Sequence, residues 1–214
     1  MKKLPVIMTA ALMLSGTAFA DATRSYKVTI TNITAGQIFT PVLAVTHKSS
    51  LALFELGEPA SPSLELLAEN GMTGPLEDVL LSMPDRVRDT AVAEAPLMPG
   101  QSVTLEIMGS NKIRYVSFAA MMLPTHDNFV AIDAVPLPWT YSTVYAKAYD
   151  AGTEDNDELC VNIPGPPCMG ANVDDASGEG YVHIANGIHG VADLDPILHD
   201  WRNPVAKVTI ERVY

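Results

Sequence analysis

The stretch Tyr26-Lys27-Val28-Thr29-Ile30-Thr31 alternates large apolar side chains with polar ones, residue by residue. Successive side chains of a strand point to opposite faces, so a period of two marks a strand dry on one face and wet on the other. The far end of the chain shows the same pattern over residues 205–213, and Val103, Leu105 and Ile107 repeat it around Thr104 and Glu106. Residues 37–45 read as a further strand broken by Pro41, which lacks the N–H a ladder needs and so belongs at an edge or a bulge. Residues 115–123 form a longer apolar strand closed by Pro124, and 129–132, 143–148 and 181–184 complete a set of about eight. Short strands separated by Pro, Gly and Asn predict an all-β antiparallel sandwich or barrel.

Residues 61–83 break this rhythm. Ser61-Pro62 followed by Leu64, Leu66 and Leu67 predicts a capped short helix ending at Asn70-Gly71. Gly74-Pro75 opens a second short helix carrying Leu76, Val79 and Leu80. This helical insert is expected to cover one edge or end of the sheet. Residues 84–100, with Pro96 and Pro99, read as a surface connection.

The N-terminus has the form of a secretory signal: Lys2 and Lys3, an apolar run over 4–14, then Ala18-Phe19-Ala20. Cleavage after Ala20 would leave residues 21–214, one domain by length, exported to the periplasm or beyond. No later apolar run approaches the ~18 residues of a membrane span. Loss of Lys2 and Lys3 takes the formal net charge from -12 to -14, a balance that repels nucleic acid. With 48% hydrophobic and 18% charged residues the chain has the composition of a folded domain. In an oxidising compartment Cys160 and Cys168, with Pro164-Gly165-Pro166-Pro167 between them, are expected to form a disulfide.

Five carboxylates fall between Asp150 and Glu158, around Gly152. Acidic oxygens on a tight turn suit a hard cation such as calcium, but Asp on a turn is ordinarily a local hydrogen bonder. Asp155, Asp157 and Glu158 read as solvated charge. His47 reads as a satisfied core or rim histidine and His126 as a turn residue. A zinc site from His183, His189 and His199 would need ligands converging in space, which their spacing does not support. Residues 186–190 read as a structured turn over the sheet. Trp139, Tyr141, Tyr145 and Trp201 could line a ligand surface, although aromatic residues on strands are more often core. No nucleophile-elbow, zinc-protease or phosphate-loop motif is present, so an enzyme reading reduces to a carboxylate-pair hydrolase using Asp127 and Asp150.

Several segments together resemble the spondin domain, the N-terminal module of F-spondin and mindin that also occurs in bacterial exported proteins. Ser117-Phe118, an apolar strand and Pro124-Thr125-His126-Asp127-Asn128-Phe129-Val130 are similar to the family's Ser-Phe and Pro-x-x-Asp-x-Phe-Val. Asp150-Ala151-Gly152-Thr153-Glu154 resembles Asp-Ala-Gly-Thr-Asp, with Glu in the last place. Phe39-Thr40-Pro41 with His47, and Pro204 with Val205 to Ile210, resemble the early and closing strands. The resemblance implies a C2-like β-sandwich over 21–214 holding calcium at one end, with Asp127, Asp150 and Glu106 as ligands. Thr153 or Glu154 could add an oxygen. It implies a binding or adhesion module with an envelope or extracellular partner, an anionic one if calcium bridges to it.

Overall fold

The computed structural model describes residues 21–171 and 177–214, so the signal-peptide reading of 1–20 lies outside the described residues. Strand β1 (Arg24–Asn32) is the alternating stretch, and its inward Val28 and Ile30 are fully buried. After it come β2 (Ile38–Phe39) and β3 (Leu43–His47), then helices α1 (Pro62–Asn70) and α2 (Thr73–Leu81). Strands β4 (Val87–Val92), β5 (Ser102–Gly109), β6 (Tyr115–Leu123), β7 (Asn128–Pro136) and β8 (Tyr141–Asp150) follow. The chain ends with β9 (His183–Ile184), the one-turn α3 (Pro196–His199) and β10 (Ala206–Val213).

All pairings are antiparallel, in the order β4-β3-β6-β7-β8-β10-β1-β5, with β2 beside β6 and β9 beside β8. The two outer strands fold back towards each other. Met108 N–H of β5 donates to Asp89 Oδ2 at 2.7 Å, and Thr46 Oγ1 donates to Met108 O at 2.6 Å. The sheet is therefore rolled into a flattened barrel, which is the expected sandwich. Its interior holds Val28, Ile30, Leu105, Ile107, Phe118, Met122, Val130, Val208 and Ile210.

Strands β3, β6 and β7 are buried on both faces. Phe118, Ala120 and Met122 of β6 point inward, while Ala119 points out beneath a second core with Leu43, Val45, Phe129 and Ala131. The outer layer is the helical insert, whose Leu64, Leu67, Ala68, Leu76 and Leu80 supply an apolar stripe at helical spacing. Each buried Leu contributes about 2 kcal/mol of burial free energy. The insert thus covers a face of the sheet, not the edge or end that its sequence suggests. Its first helix starts and stops as read: Ser61 Oγ accepts the Leu64 N–H, and Gly71 at φ 65° closes the last turn. Burial on both faces also explains why residues 115–123 read as one apolar run, since neither face needs polar side chains.

Other expectations need correction. The stretch 84–100 is not merely a connection, because Val87–Val92 pairs along β3. Only His183–Ile184 of 181–184 is strand. Trp139, Tyr141 and Tyr145 are exposed by 71%, 58% and 58%, whereas Trp201 is core. His47 is the satisfied core histidine expected. Its Nδ1 faces Lys48 O at 2.8 Å, and its Nε2 meets Ser117 Oγ at 2.7 Å. Ser117 Oγ in turn donates to Asp133 Oδ1, and burial holds the imidazole below its ordinary pKa. Cys160 and Cys168 form the disulfide. Among the described residues no helix is long and apolar enough to cross a membrane.

Candidate metal centre

The ladder between β7 and β8 puts Asn128 opposite Asp150, so Asp127 and Asp150 meet at one end of the sheet. Ala151 N–H donates to Asp127 O across that junction. Both carboxyls are sealed, with 0% and 1% exposure. Asp127 Oδ2 accepts the Thr153 N–H at 2.7 Å, the Thr153 hydroxyl at 3.2 Å and the Glu154 N–H at 3.2 Å. Its Oδ1 has no hydrogen-bond partner. Asp150 Oδ1 accepts the Gly152 N–H at 2.8 Å, and its Oδ2 accepts Asn156 Nδ2 at 2.9 Å. Asn156 Oδ1 in turn accepts Asn128 Nδ2, which leaves Asn128 Oδ1 unpaired.

The Ala151-Gly152-Thr153 turn shapes this pocket of acceptors. Gly152 lies at φ +68°, and a Cβ there would sit 2.3 Å from Tyr181 O, so only glycine fits. The turn sends Glu154 inward to 2% exposure with both carboxylate oxygens lacking hydrogen bonds. His126 is also buried, its Nδ1 3.6 Å from Glu154 Oε2 and its Nε2 2.9 Å from Asp157 Oδ1.

The electrostatics match this crowding. Burial, and then the Asp150 charge, push the Asp127 carboxyl up to about 7, against the pull of the Thr153 and Glu154 N–H groups. Burial likewise raises Asp150, partly offset by His183. For His126 burial disfavours the imidazolium, but Glu154, Asp157 and Asp127 outweigh it and raise the pKa. Buried acceptors without donors are costly in a folded protein. Asp127 Oδ1, Asn128 Oδ1 and both Glu154 oxygens are buried acceptors of this unsatisfied kind.

The spondin N-terminal family model (Spondin_N) matches residues 26–160, more than half of the chain. The chain belongs to the spondin N-terminal family. A search of curated proteins finds no match to it. Spondin domains are extracellular, non-enzymatic modules, and the Cys160–Cys168 disulfide is consistent with export. The match spans β1 to β8 and includes Asp127, Asp150 and Glu154, while β9 and β10 lie beyond it.

Of the three ligands expected from the spondin resemblance, Asp127 and Asp150 come together and Glu106 does not join them. Glu106 projects from β5 with its side chain 77% exposed, 3.7 Å from Lys27 Nζ. Register places it beside Lys27 and Glu211, and Glu211 lies opposite Tyr141, at the other end of β8 from Asp150. That is about 30 Å away along the strand. The alternation of Val103, Leu105 and Ile107 already assigned Glu106 to the wet face. Glu154, in the last place of the Asp-Ala-Gly-Thr-Asp pattern, meets Asp127 through its backbone N–H and turns its buried carboxylate towards His126.

The rest of the acidic run also differs from its reading as solvated charge. Asp155 is exposed, but Asp157 bonds Asn162 Nδ2 and the Leu159 N–H besides meeting His126. Glu158 is buried, and its carboxylate accepts the N–H groups of His189, Gly190 and Val191 at 2.6–2.9 Å. This anchors the turn expected over 186–190. His189 and His199 do not converge with His183. That imidazole instead lies 3.4 Å from both Asp150 Oδ1 and Glu179 Oε2. Burial opposes its charging, but the Ile184 carbonyl and the two carboxylates raise its pKa.

Proposed function

We propose that this spondin domain is an exported binding or adhesion module whose acidic end is ordered by one calcium ion. Asp127, Asp150 and Glu154 would hold it, with Asn128 Oδ1 as a neutral oxygen, and the ion would offset negative charge that His126 and His183 counter only in part. The carrying observation is Glu154: a carboxylate at 2% exposure whose two oxygens accept no hydrogen bond. Among the described residues its one charged neighbour is the His126 imidazole at 3.6 Å, beyond hydrogen-bond reach, and a buried charge so weakly paired is unfavourable, which favours a cation beside it. Calcium is abundant outside cells, where even sites of about 10⁻⁴–10⁻³ M affinity fill.

The ion's first role is structural, since Thr153 and Glu154 belong to the same turn that Asp127 holds by hydrogen bonds. A bridging role towards an anionic partner requires an open coordination position at the rim. The hydrolase alternative finds little support, because the sealed Asp127 and Asp150 present no surface to a glycan. The test is thermal melting of the full chain in chelator and across a calcium titration. A rise in Tm for wild type, absent from Asp127→Asn and Glu154→Gln, is the expected result. An unchanged Tm on adding millimolar calcium would sink the reading, and turnover of a glycan panel lost in Asp150→Asn would favour the hydrolase.

A further inference from the structure

Beside the proposed calcium position, on which this inference rests in part, lies a group of different chemistry. Asp150, Glu179 and His183 each offer one ligand atom, and these atoms lie within 4.8 Å of one another. His183 Nδ1 faces its neighbour's carbonyl, Ile184 O, at 3.0 Å. That carbonyl can only accept, so it fixes the proton on Nδ1 and leaves the Nε2 lone pair directed away from the backbone. Nε2 is a buried atom without a hydrogen bond, 3.4 Å from Asp150 Oδ1 and 3.4 Å from Glu179 Oε2.

Two accounts compete for this arrangement. A protonated Nε2 bridging two carboxylates would give charge-assisted bonds of about 2.7–2.9 Å, and one N–H cannot point along both directions. A tetrahedral ion with bonds of about 2.0–2.2 Å instead holds its ligands about 3.3–3.5 Å apart. The two edges at His183, 3.4 Å each, fall in that second range, and the third lies within 4.8 Å. An imidazole nitrogen together with carboxylate oxygens suits zinc and its borderline neighbours, whereas calcium takes oxygen ligands.

We propose that Asp150, Glu179 and His183 bind a zinc-class divalent ion next to the calcium position, with Asp150 shared between the two ions. The Ile184 carbonyl orients the imidazole from behind, as partners of metal-bound histidines commonly do. Glu179 is 41% exposed, so the fourth position opens at the protein's rim, available to water or to a donor from a bound partner. The site gives the acidic end an ion whose occupancy follows zinc supply rather than calcium supply.

The experiment is zinc titration of residues 21–214 by calorimetry, with calcium held at saturation. One equivalent of zinc is expected in wild type. Glu179→Gln, at an exposed position that folding tolerates, and His183→Ala should each weaken binding by about tenfold or more. Both should keep the calcium-dependent rise in Tm. Asp127→Asn should lose the calcium response and retain zinc, so failure of the calcium reading and failure of this one give different patterns. Cobalt substituted for zinc should show the intense visible absorption of a four-coordinate site, absent from His183→Ala. Wild-type zinc affinity in both Glu179→Gln and His183→Ala, or complete expulsion of zinc by one equivalent of calcium, would overturn the proposal.

Discussion

Two buried carboxylates, four residues apart, have opposite fates. Glu158 is 3% exposed and Glu154 2%, yet Glu158 accepts three backbone N–H groups while neither oxygen of Glu154 accepts a hydrogen bond. Glu158 acts as an internal anchor: its charge is satisfied by the 189–191 turn, so it can offer little to a ligand. Glu154 is tied to Asp127 only through its backbone N–H, and its carboxylate faces His126 at 3.6 Å without a hydrogen bond. Burial alone therefore does not mark a site in this molecule. The proposed calcium position rests instead on acceptors left over after the local donors have been counted.

The largest effect is expected where the anchor is cut. Glu158→Ala strands three N–H groups and should destabilise the fold by about 4 kcal/mol, equally in calcium and in chelator. Chemical denaturation under both conditions reads this, and a loss restricted to chelator would erase the distinction between the two glutamates. Next, calcium at about 100 times its Kd should add about 2.7 kcal/mol to wild type and nothing to Asp127→Asn. In chelator at neutral pH the same variant should match or exceed wild type, because it removes a buried repulsive charge; a lower Tm there would show Asp127 to be a purely structural group.

The third effect is a pH slope. Asp127 titrates at about 7 in the fold, against 3.8 for a free carboxyl. A raised folded pKa adds stability that is complete below about pH 4 and is lost as pH rises through about 7. Asp150, His126 and His183 are raised as well and act in the same direction. In chelator, the Tm advantage of Asp127→Asn over wild type should therefore grow between pH 5 and pH 7.5, and calcium should abolish that growth. A flat difference would show that Asp127 is not held near neutral pH by its neighbours. The smallest effect belongs to Glu106: Glu106→Gln breaks only an exposed pair with Lys27 and should change stability by less than about 0.5 kcal/mol, with calcium affinity unaltered.

The one-sided strands were the most legible part of the fold, because Tyr26, Val28 and Ile30 face a core while Lys27 and Thr29 face water. Strand β4 was not legible. Val87-Arg88-Asp89-Thr90-Ala91-Val92 buries only Val87 fully, so its pattern carries little period-two signal between Pro84 and Pro96. At the site, Asp127 and Asp150 could be found through motif order. His126, Asn128, Asn156 and Glu179 could not, since what joins them is a pairing register and a turn, not their spacing. Glu158 was misread because a charged residue in an acidic run looks solvated until its three donors, more than thirty positions later, are brought to it.

β10 forms the seam between β1 and β8, pairing with one on each side. Without it, β1 and the strand that carries Asp150 would both present open ladders of N–H and C=O groups. Truncation before Ala206 would thus expose two sticky edges at once, one on each side of the missing seam.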